Sequence, residues 1–231
     1  MSTPVIELQK KIGYSFNQLD LLETALRHRS CGAKNNERKE FLGDALLGFV
    51  VADSLYRKFP KAAEGELSRL RAKLVKGVSL AVIAKKLGLG EFLILGPGEM
   101  KSGGHRRDSI LADALESIIG AIYLDGGIDH ARDFIDRWFC NQLENLSVSD
   151  AKKDPKTQLQ ELLQSRKLAL PQYEVISTAG EMHDPKFEVK CSVVVFKNEN
   201  LTCTETAKSR RIAEQKAASN MLQILQTKGL K

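Results

Sequence analysis

No stretch of this 231-residue chain stays apolar for the roughly 20 residues that a membrane-crossing helix needs, so no helical span is expected. The N-terminal MSTPVIELQKK has no long apolar core of the kind a secretion signal carries. Cysteine is scarce: Cys31, Cys140, Cys191 and Cys203 show neither a CxxC nor any paired spacing. That argues against a disulfide framework or a zinc knuckle and favours a reducing, cytosolic setting. The order GxxxxGK[ST] is absent, so the glycine-rich GPGEMKSGGHRR at 96–107 is not a nucleotide-binding P-loop, although Lys101, His105, Arg106 and Arg107 there are suited to phosphates. Its composition predicts a mobile loop. His28, His105, His130 and His183 are scattered and form no Ser/His/Asp or Cys/His arrangement, so each reads as a surface or hydrogen-bonding residue.

What the chain has is acid set into apolar helices. In residues 36–51, NERKEFLGDALLGFVV, the spacing of Glu37, Glu40 and Asp44 by three and then four puts all three on one helical stripe. Phe41, Leu42, Ala45, Leu46 and Phe49 crowd around them. Charged groups among apolar residues need a partner, so the residues leave two readings: a solvated acidic face, or a site for a divalent cation or basic partner. A second apolar run, SILADALESIIGAIYL at 109–124, carries Asp113 and Glu116 three apart. Four carboxylates from two such helices would make an all-oxygen site of the kind Mg²⁺ or Mn²⁺ prefers.

Apolar residues make up 42% of the chain, enough for a packed core. The net charge of +6 is unevenly shared, with 21 basic and 20 acidic side chains in residues 1–150 against 14 and 9 in the rest. A basic module beside a near-neutral one suggests a polyanion grasped by one part and processed by the other. Helical periodicity predicts helices over 5–12, 19–27 with Asn17 as N-cap, 36–58 stopped by Pro60, one opening at Glu64, 78–87 closed by Gly88, and 129–146 with Trp138 and Phe139 in the core. Residues 146–154, LSVSDAKKD, lose that period and read as a linker. Beyond it, a helix over 155–164, strands over 173–178, 186–195 and 201–207, and a helix over 209–226 give the order αβββα.

NERKEFLGDALL resembles the signature of ribonuclease III, and SILADALESIIGAIYLD resembles that family's second acidic helix. DPKTQLQELLQ, PQYEV, GEMHDPKF and SRRIAEQKAA resemble the double-stranded RNA-binding domain that follows it in bacterial members. The likeness covers nearly the whole chain. It implies an all-α endonuclease domain over 1–147, a linker over 148–153 and an αβββα RNA-binding domain over 154–226. It further implies a homodimer that holds an RNA duplex in a valley, hydrolyses it with Mg²⁺ to 5′-phosphate and 3′-hydroxyl ends, and uses no small-molecule organic cofactor.

Carried over by motif position, the metal ligands are Glu40, Asp44, Asp113 and Glu116, with Asp44 and Glu116 as the indispensable pair. Phe41 falls at the dimer interface, and Glu37 and Glu64 align with accessory acids. On the RNA-binding domain, Gln158 and Glu161 would face one minor groove, His183 the next, and Lys208, Arg210 and Arg211 the phosphates between them. One departure stands out. Glu205, Thr206, Ala207 replace the usual Gly-x-Gly, which removes backbone freedom and brings a carboxylate toward the expected phosphate track. A non-cleaving RNA-binding protein and a hydrolase of small phosphoesters are the competing readings; retention of all four carboxylates and the dedicated basic module weigh against them.

Overall fold

The computed structural model describes residues 3–151, 153–179, 185–195 and 199–230. It divides into two units, Met1–Ala151 and Lys152–Lys231, each with its own core.

The first unit is built around α7 (Asp108–Gly126), which buries side chains on every side, Ile110, Leu111, Leu115, Ile118, Ile119 and Ile122 among them. A helix apolar all round can only be a central one. Against it pack α2 (Leu19–Ala25), α3 (Glu37–Lys58), α5 (Gly77–Leu87) and α8 (Ile128–Glu144), while α4 (Glu64–Leu74) closes on α3 and α1 (Thr3–Ile12) adds Leu8 and Ile12 to the core. Gly88 ends α5 at φ 70°, the left-handed position where a side chain would be strained. Phe139 is fully buried on α8, and Trp138 packs against the same core half-buried.

Three local expectations need correction. Asn17 is not an N-cap. The backbone N–H groups of Asn17 and Gln18 and the Asn17 side chain all donate to Asp125 at the end of α7, so a distant carboxylate secures the entry to α2. Residues 96–107 are ordered rather than loop-like. Pro97 takes the first position of a short α6 (Pro97–Lys101), a 3-10 turn follows at Gly104–Arg106, and Glu99 ties the segment together through Arg107 at 2.8 Å. The expected linker also belongs in part to the first unit. Val148–Ala151 forms a 3-10 turn held on α4 by Lys73 to Asp150 at 2.7 Å and by Arg69 Nε donating to the Ala151 carbonyl at 2.6 Å, with Ala151 buried.

The second unit has α9 (Pro155–Ser165), an antiparallel sheet in the order β1 (Gln172–Ala179), β2 (Lys186–Val194), β3 (Asn200–Ala207), and α10 (Arg210–Thr227). One face of the sheet lies on the two helices through Val189, Cys191, Val193, Ala217, Met221 and Leu225. Asp154 caps α9 by accepting from Thr157 N and also accepts from Gln215 of α10, which joins the two helices at one end. All four cysteines are free thiols, and among the described residues no helix is long and apolar enough to cross a membrane.

Candidate metal centre

The site lies where α3 crosses α7, and two glycines set how closely they cross. A Cβ at Gly43 would fall 1.8 Å from the carbonyl oxygen of Glu116, and one at Gly120 would fall 2.3 Å from that of Lys39. Backbone therefore packs on backbone, and the residues flanking the contact are brought face to face. The carboxylates of Glu40, Asp113 and Glu116 each offer an oxygen within 4.8 Å of the others. Glycine inside an apolar helix costs up to about 1 kcal/mol relative to alanine, which is a signal of close approach that reading for acids alone passes over.

Among the described residues, none hydrogen-bonds or ion-pairs with these three carboxylates. Their mutual repulsion is offset only in part, by the nearby charges of His28 and Arg29. The Glu116 carboxyl is pushed from 4.5 up to about 8, first by burial and then by the charges of Asp44, Asp113 and Glu40. Burial also raises Glu40 and Asp113, the latter against the opposing charges of His28 and Arg29. Clustered carboxylates with oxygen ligands only and no protein cation bonded to them fit a hard divalent cation.

Asp44 lies one turn further along α3, exposed and outside the 4.8 Å group, although its charge reaches Glu116. Glu37 is on the rim, accepting from Asn35 Nδ2 at 3.0 Å and lying 3.8 Å from Arg29. Glu64 is not gathered into the cluster; it accepts from Ser68 Oγ at 2.7 Å and lines a separate groove of about 370 Å³ with Tyr56, Leu67 and Arg71. Phe41, beside Glu40, points outward and is 80% exposed. The sequence reading passed over Arg29, which sits in a short turn whose Ser30 Oγ accepts from Gly96 N at 2.8 Å, so a cation is anchored at the lip of an acidic site. His28 is buried, with Nδ1 2.9 Å from Ser30 Oγ, in keeping with a hydrogen-bonding role.

On the second unit, Gln158 donates to the Lys153 carbonyl and Glu161 pairs with the Lys153 ammonium. Lys208, Arg210 and Arg211 are exposed around the start of α10, where Ser209 caps the helix and Arg210 pairs with Glu214 at 2.9 Å. His183 lies outside the described residues. Glu205 departs from expectation: it shares the half-buried, helix-facing side of β3 with Leu201 and Cys203, and its Oε1 accepts from Asn220 of α10 at 2.9 Å. The carboxylate is turned toward α10 and engaged there.

Comparison with known families accounts for this arrangement. The family described as Ribonuclease-III-like matches residues 18–143, across both acidic helices. The chain belongs to the ribonuclease III family. The double-stranded RNA binding motif matches residues 155–225, as the order αβββα requires. Among relatives of this ribonuclease III chain, the Ribonuclease 3 of Idiomarina loihiensis is 54% identical over 96% of both chains, and that of Hahella chejuensis is 55% identical over 96% of this chain and 97% of its own. A crystal structure of the nuclease domain of ribonuclease III from Campylobacter jejuni aligns with 63% of this chain and all of its own, at 43% identity and a TM-score of 0.60. A second structure of that domain, described for flexibility in a region involved in dimer formation, gives 46% identity and a TM-score of 0.58 over 58% of this chain and 95% of its own.

Proposed function

We propose that the protein is a homodimeric endoribonuclease that uses a divalent cation to hydrolyse phosphodiester bonds of double-stranded RNA, leaving 5′-phosphate and 3′-hydroxyl ends. The observation that carries this reading is the cluster of Glu40, Asp113 and Glu116, gathered by two apolar helices with no protein cation bonded to it. These three hold the cation, with Asp44 as the fourth acid. Mg²⁺ suits the all-oxygen set, and Mn²⁺ can substitute. Such a cation, when bound, supplies the charge that acidifies an attacking water and offsets the oxyanion developing at phosphorus.

The chain's own groups do the rest. Glu116, raised to about 8 by burial and its acidic neighbours, would have to be deprotonated to hold a cation, so cation affinity would rise with pH. Asp44, which is exposed, and Glu116, which is half-buried, would orient the attacking water. The close crossing at Gly43 and Gly120 holds the two acidic helices together beside the cluster.

Phe41, Phe49 and Tyr56 lie along one stripe of α3 and are 80%, 57% and 72% exposed. An apolar stripe of that length supports an interface with a second copy of the chain, made by the same surface on both. Glu37 and Glu64 are accessory acids of the assembled valley. Gln158, Glu161 and His183 meet minor grooves, and Lys208, Arg210 and Arg211 meet phosphates, so that shape rather than sequence is read. The protein works in the cytoplasm on ribosomal RNA precursors and some messenger RNAs.

Incubation of the full chain with end-labelled duplex RNA and Mg²⁺, with and without a chelator, tests the proposal. Chelator-sensitive cutting with 5′-phosphate ends is expected. Binding without cutting would make it a non-cleaving RNA-binding protein, and turnover of small phosphodiesters but not of duplex would make it a different hydrolase.

A further inference from the structure

The turn Arg29–Cys31 stands at the lip of the acidic cluster, and its backbone is tied on both sides. The His28 N–H donates to the Ile94 carbonyl at 3.0 Å, the Gly96 N–H donates to Ser30 Oγ at 2.8 Å, and a Cβ at Gly96 would fall 2.5 Å from the Ser30 carbonyl oxygen. On the other side the Arg27 carbonyl accepts from Asn36 N at 2.9 Å, where α3 begins. The Asn36 carbonyl accepts in turn from Ser117 Oγ of α7 at 3.4 Å. The turn is thereby fixed against both helices that carry the acids.

The Arg29 side chain is held far less firmly than its backbone. It is 72% exposed, and its ion pair with Glu37 spans 3.8 Å, too long for a hydrogen bond, while Glu37 also accepts from Asn35 Nδ2. Its charge still reaches Glu40 and Asp113 and favours their ionised forms. His28 has the same effect on Asp113, but it is buried with Nδ1 2.9 Å from Ser30 Oγ and stays in place. A guanidinium on a long stem with a fixed base has two kinds of partner open to it, these acids or an anion brought to the rim. While it faces the acids it repels a divalent cation held by them.

We propose that Arg29 couples cation loading to duplex binding: in the free chain its guanidinium opposes the charge of Glu37, Glu40 and Asp113, and in the complex it passes to a backbone phosphate of the bound strand. The inference rests on the cation and duplex readings above. Hydrolysis at the cluster requires the phosphates of that strand to lie at the rim where Arg29 stands. A phosphate accepts two N–H groups of a planar guanidinium at once, a stronger contact than the long one to Glu37. Once Arg29 turns to phosphate, the acids lose a competitor and hold the cation more tightly. By reciprocity the cation strengthens duplex binding by the same factor.

Arg29→Met keeps the stem and removes the charge, and melting curves check its folding. Mn²⁺ binding to the RNA-free chain, followed by electron paramagnetic resonance, should tighten about fivefold at low salt in this variant, taking a separation of about 8 Å between guanidinium and ion in water. Arg29→Lys, which keeps the charge, should bind Mn²⁺ as the parent does. A fluorescent duplex is then titrated in chelator and in saturating Ca²⁺ at matched ionic strength, Ca²⁺ being too loosely coordinated to align an attacking water well. Glu116→Gln, which lacks one of the clustered carboxylates, measures the contribution of ions held by the RNA itself. After that correction, the factor by which Ca²⁺ strengthens duplex binding should be about fivefold smaller in Arg29→Met than in the parent. An unchanged Mn²⁺ affinity in the folded variant overturns the competition. Tighter Mn²⁺ with an unchanged strengthening factor would leave Arg29 beside the acids in the complex and overturn its transfer to phosphate. A parent chain that binds no cation would instead overturn the cation reading, and one that binds no duplex the duplex reading.

Discussion

Replacing Gly43 by alanine tests whether the crossing of α3 and α7 builds the acidic site. The added Cβ would lie 1.8 Å from the Glu116 carbonyl oxygen, 2.6 Å from its carbonyl carbon and 3.1 Å from the Gly120 nitrogen. All three are backbone atoms of a buried helix, so no side chain can swing away. Bringing the closest contact to 3.0 Å requires the helices to part by at least about 1.2 Å. Overpacking of this kind costs about 1–3 kcal/mol, against a gain of up to about 1 kcal/mol from alanine's better helix propensity. The expected result is a net loss of about 1–2 kcal/mol, seen as a melting temperature lower by about 2–8 °C. Cleavage should suffer far more, because a displacement of about 1 Å among reacting groups costs on the order of 100-fold. Gly120→Ala, whose Cβ meets the Lys39 carbonyl oxygen at 2.3 Å, should behave alike. The control is Gly65→Ala on α4, where the nearest atom is the tip of the flexible Arg69 side chain at 3.2 Å; it should leave stability and rate near those of the parent. Urea unfolding and single-turnover cleavage of saturating duplex measure both quantities. A Gly43→Ala protein with unchanged stability and a rate within twofold would refute the reasoning.

Other outcomes follow from the same geometry. Glu116→Gln should abolish cleavage while leaving duplex binding intact. It should also alter the pH dependence of stability: the folded pKa of about 8 lies above the ordinary 4.5, so this carboxyl's stabilising contribution is complete below 4.5 and lost as pH rises toward 8. Without metal, the variant's melting temperature should therefore exceed the parent's by a margin that widens from pH 5 to pH 8, and a constant margin would contradict the shift. Phe41→Asp should give a monomer in sedimentation velocity at micromolar concentration; an unchanged dimer would remove the α3 stripe from the interface. A chain ending at Ala151 should cut duplex at low salt and lose activity faster than the full chain as salt rises, whereas one ending at Ser147 should also melt several degrees lower, having lost the contacts of Arg69 and Lys73. Glu205→Gln should leave duplex affinity at low salt within twofold, because the carboxylate faces α10; clear tightening would show that it senses the phosphates.

Much of this architecture was legible because local chemistry and tertiary structure agree. The start of α3 beside Asn36, the left-handed Gly88 and the alternation of β3 follow from residue type and spacing. The acids at 40, 113 and 116 were legible for another reason: charge in an apolar helix demands an explanation. What escaped depends on distant partners. Nothing in LSVSDAKKD announces that Asp150 will meet Lys73, and nothing near Asn17 announces Asp125. The glycines of 96–107 obscured a helix start at Pro97 and the Glu99–Arg107 pair. The direction of Glu205 turned on strand parity, which a shift of one residue in the assumed register reverses.

Within four residues, Glu40 joins the acidic cluster, Phe41 faces outward and Gly43 lies against the backbone of α7. Such a stretch can accept a change of residue type at one position far more readily than a change of length. One inserted residue between Glu40 and Asp44 would turn the remainder of α3 by about 100° and advance it by about 1.5 Å. Asp44 would leave the acidic face, the glycine notch would rotate off Glu116, and Phe49 and Tyr56 would swing away from the stripe that Phe41 begins. Insertions and deletions should therefore be tolerated in the segments joining the helices and not within α3 between its first carboxylate and its last aromatic ring.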